Sequence, residues 1–416
     1  MTKSEVYKFP EGFMWGTATS GYQIEGGNWN SDIWEIEHTP GSGWAESSGD
    51  ACDHYHRYLE DIKIMSELGF NTFRFSIEWS RIEPEDGEFS IAALNHYQLV
   101  CEALLENKIT PIITLNHCTL PRWVHKNGGW LWNDIPKRFG NYSKRVAKYL
   151  SNNIKYIITI NEPNLIAAIG YKFGHLPSGY VAKQRGVDPD KAAKTASTNL
   201  IKAHHASREA IKECLPDMKV GCALFMAEWG VREGCEELLK KVQEMWEVPF
   251  FEAVKKDDFI GVQTYTRFYV GTPDLPNTKI KCTFPRIMIC YPPGTRMTIC
   301  GWEFRPGVLD VAIRRVYKHI GLPIFITENG CPTDNDDERI EYIEGALKSL
   351  AGCIKDGINI IGYLHWSLLD NFEWHIGYKA KFGLVAVDRK TFKRTVKPSG
   401  YLLGRIAKNN AVRVTI

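Results

Sequence analysis

The sequence predicts an α/β fold, a single-domain (β/α)8 TIM barrel with long βα loops forming the active-site mouth, and three observations carry that expectation. Short apolar runs alternate strictly with longer amphipathic ones, eight of each. The turn after the first run reads Ser20-Gly21-Tyr22-Gln23, without the glycine-rich pattern that a dinucleotide-binding sheet places there. No Ser/Gly-rich linker or compositional shift divides residues 1–416, so the chain reads as one domain. Strict βα alternation implies parallel strands with right-handed crossovers, leaving a doubly wound sheet or a closed barrel, and eight units favour the barrel.

In chain order, the first strand is expected at 14–19 and the first helix at 54–68. Strand 72–77, Thr-Phe-Arg-Phe-Ser-Ile, precedes helix 91–107, and strand 110–117 precedes helix 136–152, which opens on Pro136. The β-branched run 156–161 is followed by helix 189–214, again opened by a proline. Strand 219–225 and helix 236–255 form the fifth unit, and strand 258–265 and helix 306–319 the sixth. The seventh strand, 323–329, is bounded by Pro323 and Gly330 and leads to helix 340–356; strand 360–367 and helix 398–409 complete the set. The longest βα connections are expected after strands 1, 4 and 6, including 277–305 with Pro285, Pro292 and Pro293. Such loops lie on the face where barrels build their sites.

Composition narrows the function. Lys+Arg 51 against Asp+Glu 49 leaves no electrostatic footprint for nucleic acid or an anionic membrane, so an uncharged small-molecule partner is expected. The 13 tryptophans suit the apolar faces of sugars as well as a core. The 11 cysteines are odd in number and scattered, without Cys-x-x-Cys or metal spacing, which points to free thiols. With no apolar signal core at the amino terminus and no long apolar run, a cytoplasmic location is expected, and the sequon Asn141-Tyr-Ser is read as without meaning.

In a barrel, the carboxyl ends of the strands converge on one mouth. Strand 2 brings Arg74, with Glu78 and Trp79 beyond it; strand 3 ends in Asn116-His117 and strand 4 in Asn161-Glu162. Strand 6 brings Gln263 and Tyr265, strand 7 ends in Glu328-Asn329, and strand 8 brings His365 and Trp366, followed by Asp370, Glu373 and Trp374. Glu162 and Glu328 each tip an otherwise apolar run and would face one cavity. Glycoside hydrolysis needs such a pair, one carboxyl to protonate the departing oxygen and one to attack the anomeric carbon or activate water. His117, Asn161, Gln263, Gln23 and Glu373 suit sugar hydroxyls, and Trp366 and Trp374 suit stacking. Arg74 could keep one glutamate ionised while the other stays protonated.

A structural alternative stands beside each assignment. A strand-end glutamate beside an arginine also makes a buried ion pair, and His117 alone suits a core histidine. The His54-Tyr-His56 and His204-His205 clusters fall at a helix start and within a helix, away from the mouth, so no metal site is assigned to them. Trp15, Trp34 and Trp302 are read as packing.

Five segments, in order, resemble the glycoside hydrolases of family one, the β-glucosidase and β-glycosidase group, across essentially the whole chain. They are Phe13-Met-Trp-Gly-Thr-Ala-Thr-Ser-Gly-Tyr-Gln-Ile-Glu-Gly26, Phe73-Arg-Phe-Ser-Ile-Glu-Trp-Ser-Arg81, Thr159-Ile-Asn-Glu-Pro-Asn164, Ile326-Thr-Glu-Asn-Gly330 and Trp366-Ser-Leu-Leu-Asp-Asn-Phe-Glu-Trp374. The resemblance implies a retaining enzyme with Glu328 as nucleophile and Glu162 as acid/base, using no cofactor and no metal. It implies that Arg74 and Tyr265 hold the nucleophile and that Asn161 contacts the sugar 2-hydroxyl. Gln23, His117, Trp366, Glu373, Trp374 and Phe382 match the pocket for the terminal sugar. Family branches acting on phosphorylated sugars carry a serine and a lysine around the position of Glu373, so a neutral hexose is implied, in gluco, galacto or fuco configuration. Two positions depart from the family pattern: Cys118-Thr119 follows His117 where the family often has Trp-Asp, and Gln263 stands where it often has Asn. The expected substrate is a small β-glycoside; a transglycosylase using the same glycosyl-enzyme and a non-catalytic sugar-binding barrel are the alternatives.

Overall fold

The computed structural model describes residues 4–271 and 291–415. Eight strands form a closed, all-parallel barrel: β1 (Met14–Ala18), β2 (Thr72–Ser76), β3 (Thr110–Asn116), β4 (Tyr156–Asn161), β5 (Lys219–Phe225), β6 (Phe259–Gln263), β7 (Ile324–Asn329) and β8 (Ile360–Trp366). Neighbours in sequence are neighbours in space, and β8 closes on β1 with Tyr363 opposite Trp15. The predicted class and the eight units are thus observed.

Local chemistry sets the helix limits. Ser90 Oγ accepts the Ala93 N–H at 3.2 Å at the start of Ile91–Glu106, and Asp188 Oδ1 accepts the Lys191 N–H at 2.8 Å ahead of Pro189–Cys214. Helix His54–Leu68 ends on Gly69, whose φ of 88° lets the chain turn back where a side chain would be strained. The predicted helix 236–255 is instead two, Glu236–Trp246 and Val248–Ala253. The break falls at Glu247, ahead of Pro249, which has no N–H to continue the ladder. Glu247 is held there by Trp229 Nε1 at 2.6 Å and by an ion pair with Arg315.

Strands 3 and 6 are shorter than predicted, so His117 and Tyr265 sit just past their ends. The connection after β8, residues 367–397, is longer than the one after β4, residues 162–188, contrary to expectation. It folds back as a hairpin of Val385–Val387 with Arg394–Val396, a local element invisible to the helix period. The expected loop 277–305 lies outside the described residues as far as residue 290. A second unpredicted element pairs Glu228–Val231 with Arg267–Val270 beside the mouth.

The core has two layers. Ile112, Ile158, Phe259, Phe325 and Leu364 fill the barrel interior, each at most 1% exposed, while the helices cover the outer faces of the strands with a larger apolar shell. Burying each such side chain contributes about 1.5–3 kcal/mol. Trp15 packs among Phe9 and Phe13, with ring centroids 4.7 and 4.8 Å away, and its Nε1 donates to Asn410 Oδ1 at 2.8 Å; here the packing expectation holds. Trp34 is only partly buried, edge-on to Trp29. No helix among the described residues is long and apolar enough to cross a membrane.

Candidate active site

Apolar strands ending in polar residues aim those residues at the mouth. There they surround a cavity of about 220 Å³ lined by Glu162, Glu328, Tyr265, His117, Trp366, Glu373, Trp374 and Phe382 among others. Glu162 follows β4 directly, in the left-handed region at φ 47°, ψ 49°. Its backbone is clamped by its N–H on Ala223 O at 2.8 Å and its carbonyl accepting from Ile166 N at 2.9 Å. A side chain held in this costly conformation is over-determined by its surroundings. Cys118 and Trp374 share the positive φ, at 68° and 51°.

Glu328, on β7, accepts three hydrogen bonds. Arg74 Nη1 donates to Oε1 at 2.5 Å, Gln263 Nε2 to the same oxygen at 2.8 Å, and the Tyr265 hydroxyl to Oε2 at 2.5 Å. Arg74 is itself fully buried, its Nε on Thr114 Oγ1 at 2.9 Å and its Nη2 on Asn161 Oδ1 at 2.5 Å. Glu162, by contrast, makes no side-chain hydrogen bond with a described residue. Burial pushes both carboxyls up, but unequally. The Glu162 carboxyl rises well above the usual range because burial is joined by repulsion from Glu328. For Glu328 the Arg74 guanidinium and the Tyr265 hydroxyl oppose burial. The donors thus favour the charge on Glu328 and the proton on Glu162.

His117 is neutral, since burial and the Arg74 charge hold its pKa well below the usual value. Its Nε2 lies 3.2 Å from the Asn161 amide nitrogen and accepts from it, which assigns the proton to Nδ1; that atom is buried without a partner. The imidazole lies nearly parallel to Trp366 and Trp374, with centroids 5.6 and 6.0 Å away. Trp366 Nε1 donates to Glu373 Oε1 at 3.2 Å, and burial pushes the Glu373 carboxyl up to about 8. Gln23 does not line the cavity: its Nε2 donates to Phe372 O at 2.7 Å and Asn371 Oδ1 at 3.2 Å. Its Oε1, like His117 Nδ1 and Gln263 Oε1, is buried and unpartnered. Of these three residues only His117 lines the cavity, so its Nδ1 is the orphaned atom that a hydroxyl can satisfy.

Gln263, the departure on β6, donates to both Glu328 and Asn161 Oδ1, the latter at 2.7 Å, and so ties the two strand ends together. At the other departure, Cys118 lines the cavity and Thr119 Oγ1 donates to Glu78 Oε2 at 2.9 Å. Trp302, read as packing, is a cavity wall, tilted against Tyr265 and Phe382 with ring centroids 5.7 and 6.2 Å away. Its place in the connection after β6 was the available signal. Leu165, Ile166, Ile169, Phe225 and Phe268 also line the cavity and were missed, because apolar residues give no chemical signal until they face one. His54 bonds Asp61 at 2.8 Å, and His204 sits between Thr159 at 2.8 Å and Asp257 at 3.1 Å.

The family model described as glycosyl hydrolase family 1 matches residues 5–248 and 233–412. The β-glucosidase A of Thermotoga maritima is 34% identical, over 98% of this chain and 99% of that protein. Among solved structures, a β-glycosidase is 40% identical with a TM-score of 0.87, covering 97% of this chain and 98% of that one. The Thermotoga maritima β-glucosidase in complex with galacto-hydroximolactam is 30% identical with a TM-score of 0.88, covering 98% and 100%.

Proposed function

The chain belongs to glycosyl hydrolase family 1 and is a glycosidase, and from that premise we propose that it is a retaining β-glucosidase with Glu328 as nucleophile and Glu162 as acid/base. One observation carries the assignment of roles: Glu328 accepts three hydrogen bonds, one of them from a guanidinium, while the Glu162 carboxyl accepts none from a described residue. A nucleophile must be ionised and an acid must hold its proton, and the donors divide the two accordingly.

In the first step Glu162 protonates the glycosidic oxygen as a Glu328 oxygen attacks the anomeric carbon, and the bond to the aglycone breaks. Glu162, now a carboxylate, takes a proton from water. That water opens the glycosyl ester, returning Glu328 as a carboxylate and releasing the sugar with retained configuration. Arg74 and Tyr265 hold the attacking carboxylate, Gln263 aligns it, and Asn161 faces the sugar 2-hydroxyl. His117, Trp366, Glu373, Trp374 and Phe382, which line the cavity, hold the terminal hexose; Gln23 stands behind them, bonded to Phe372 and Asn371. No metal or cofactor enters the scheme.

Glu373 can bridge two adjacent hydroxyls, and its carboxyl in place of a cation opposes a phosphorylated sugar. The galacto-configured ligand of the Thermotoga maritima enzyme supports galactoside and fucoside cleavage as side activities. We read residues 1–416 as one catalytic unit; described cysteines such as Cys52, Cys101 and Cys222 are unpaired, which supports a cytoplasmic setting. The test is a 2-deoxy-2-fluoro-β-glucoside with a good leaving group, followed by peptide mapping. A covalent label on Glu328 is expected; a label on any other residue overturns the assignment.

A further inference from the structure

A second cavity, of about 300 Å³, shares no lining residue with the catalytic one. His125, Lys126 and Leu131 reach it from the connection after β3. Ser178, Val181 and Ala182 come from helix Pro177–Gln184, and Arg185 and Val187 from the turn that ends that helix. Glu35 completes the rim. The glycosidase scheme uses none of these side chains.

The imidazole of His125 is held in one tautomer by a relay of hydrogen bonds. Trp130 N donates to the Tyr171 hydroxyl at 2.8 Å, the Tyr171 and Ser178 hydroxyls bond each other, and Ser178 Oγ lies 2.7 Å from His125 Nδ1. Each hydroxyl has one proton to give, so Tyr171 donates to Ser178 and Ser178 donates to Nδ1. The reverse order would leave the proton of Tyr171, a buried residue, with no acceptor among the described residues. Nδ1 is therefore an acceptor, and the proton of the neutral ring is assigned to Nε2, which makes no hydrogen bond with a described residue. Burial keeps the ring neutral by lowering its pKa; the Glu35 charge opposes this and the Arg185 charge adds to it. Room for the relay depends on Gly129, at φ 58°: a Cβ there would fall 2.2 Å from Ser178 Oγ and 2.8 Å from the Tyr171 hydroxyl.

Charge around this ring is unbalanced. Glu35, the one carboxylate among the described lining residues, is already paired with Arg122 at 3.9 Å. Lys126 and Arg185 form no ion pair with a described residue. The remaining side chains of the lining, Leu131, Val181, Ala182 and Val187, are hydrocarbon. We propose that this cavity is a binding site for a small organic monocarboxylate with an apolar body. Its carboxylate would meet Arg185, Lys126 and the His125 Nε2–H, and its body the four hydrocarbon side chains. A guanidinium fork matches a carboxylate, and a donor whose tautomer is already set adds little ordering cost on binding. Two cations and one carboxylate leave a single net positive charge, which a monoanion neutralises and a dianionic phosphate ester would exceed. The proposal is independent of the roles given to Glu162 and Glu328.

The experiment is calorimetric titration of the full chain with benzoate, with benzamide, which has the ring without the charge, and with acetate, which has the charge without the ring. Benzoate should bind at least about 10-fold tighter than either. Arg185→Gln, at an exposed position, and His125→Phe should each weaken benzoate about 10-fold, with thermal melting to check that both fold. A repeat on protein carrying the 2-fluoro-glucosyl label on Glu328 separates this cavity from the catalytic one, and the affinity should be unchanged. If no label forms, the glycosidase reading fails and the titrations of unlabelled protein still decide this one. No detectable binding of benzoate, benzamide binding as well (an apolar pocket only), acetate binding as well (an adventitious anion only), undiminished affinity in folded Arg185→Gln, or loss of binding on labelling overturns the inference.

Discussion

Replacing Tyr265 with phenylalanine tests how the charge is held on the proposed nucleophile. In the native site Glu328 Oε1 has two donors, Arg74 and Gln263, whereas Oε2 has Tyr265 alone, at 2.5 Å. The carboxyl is 3% exposed, so the lost donor is not replaced by bulk solvent. A hydrogen bond to a charged group contributes about 1.5–3 kcal/mol, and about 1.4 kcal/mol is a factor of ten in rate. Tyr265→Phe should therefore lower kcat/KM by roughly 10- to 100-fold on the acid side of the profile. The sign follows from the direction of the shift. The tyrosine hydroxyl lowers the Glu328 pKa against burial, so its loss raises that pKa and moves the acid limb of kcat/KM to higher pH. Above the new limb Glu328 is ionised again and the deficit narrows. The assay is kcat/KM for an aryl β-glucoside across pH, with Arg74 and Gln263 left in place. An acid limb that does not move, or a loss equal at every pH, would refute the claim that Tyr265 acts by holding charge on Glu328.

Three further outcomes are expected. Glu162→Gln should cost about 10²–10⁴-fold on glucosides of unactivated alcohols, yet still permit labelling of Glu328 by a dinitrophenyl 2-fluoro-glucoside, which needs no proton; loss of both would mean that the residue is structural. Glu373 in the sugar-free protein has its carboxyl pushed up to about 8, well above an ordinary glutamate near 4.3. Its contribution to stability is complete below the unfolded value and is lost as pH rises towards about 8; Glu373→Gln should flatten the fall in melting temperature over that window, as read by calorimetry without sugar. Phe325→Ala, which empties part of the barrel interior, should cost about 3–5 kcal/mol in a denaturant titration, and a cost below about 1 kcal/mol would mean that the interior collapses to fill it.

The alternation of runs was readable because burial on both faces leaves strands short and apolar, while helices keep a polar face. For the same reason polar residues at strand ends, Glu162 and Glu328 first among them, stood out against their surroundings. The split at Glu247 was less visible: Trp229 and Arg315, the residues that hold it, are far away in sequence. The hairpin after β8 and the pairing of Glu228–Val231 with Arg267–Val270 depend on contacts between connections, which no local period records. The apolar wall escaped for a related reason. Leu165 and Ile169 look like core until the fold turns them towards a cavity.

By itself the sequence determined the eight-fold alternation, the two candidate glutamates and, through five ordered segments, the family. Those depend on residue type and spacing along one chain. Only the tertiary structure decided that hydrogen-bond donors gather on one of the two carboxyls. Donors from β2, β6 and the segment beyond it meet the carboxylate on β7, and none from a described residue meets the other. It also decided what stands beside the acid, because a side chain's environment is set by which distant strand ends close the barrel around it.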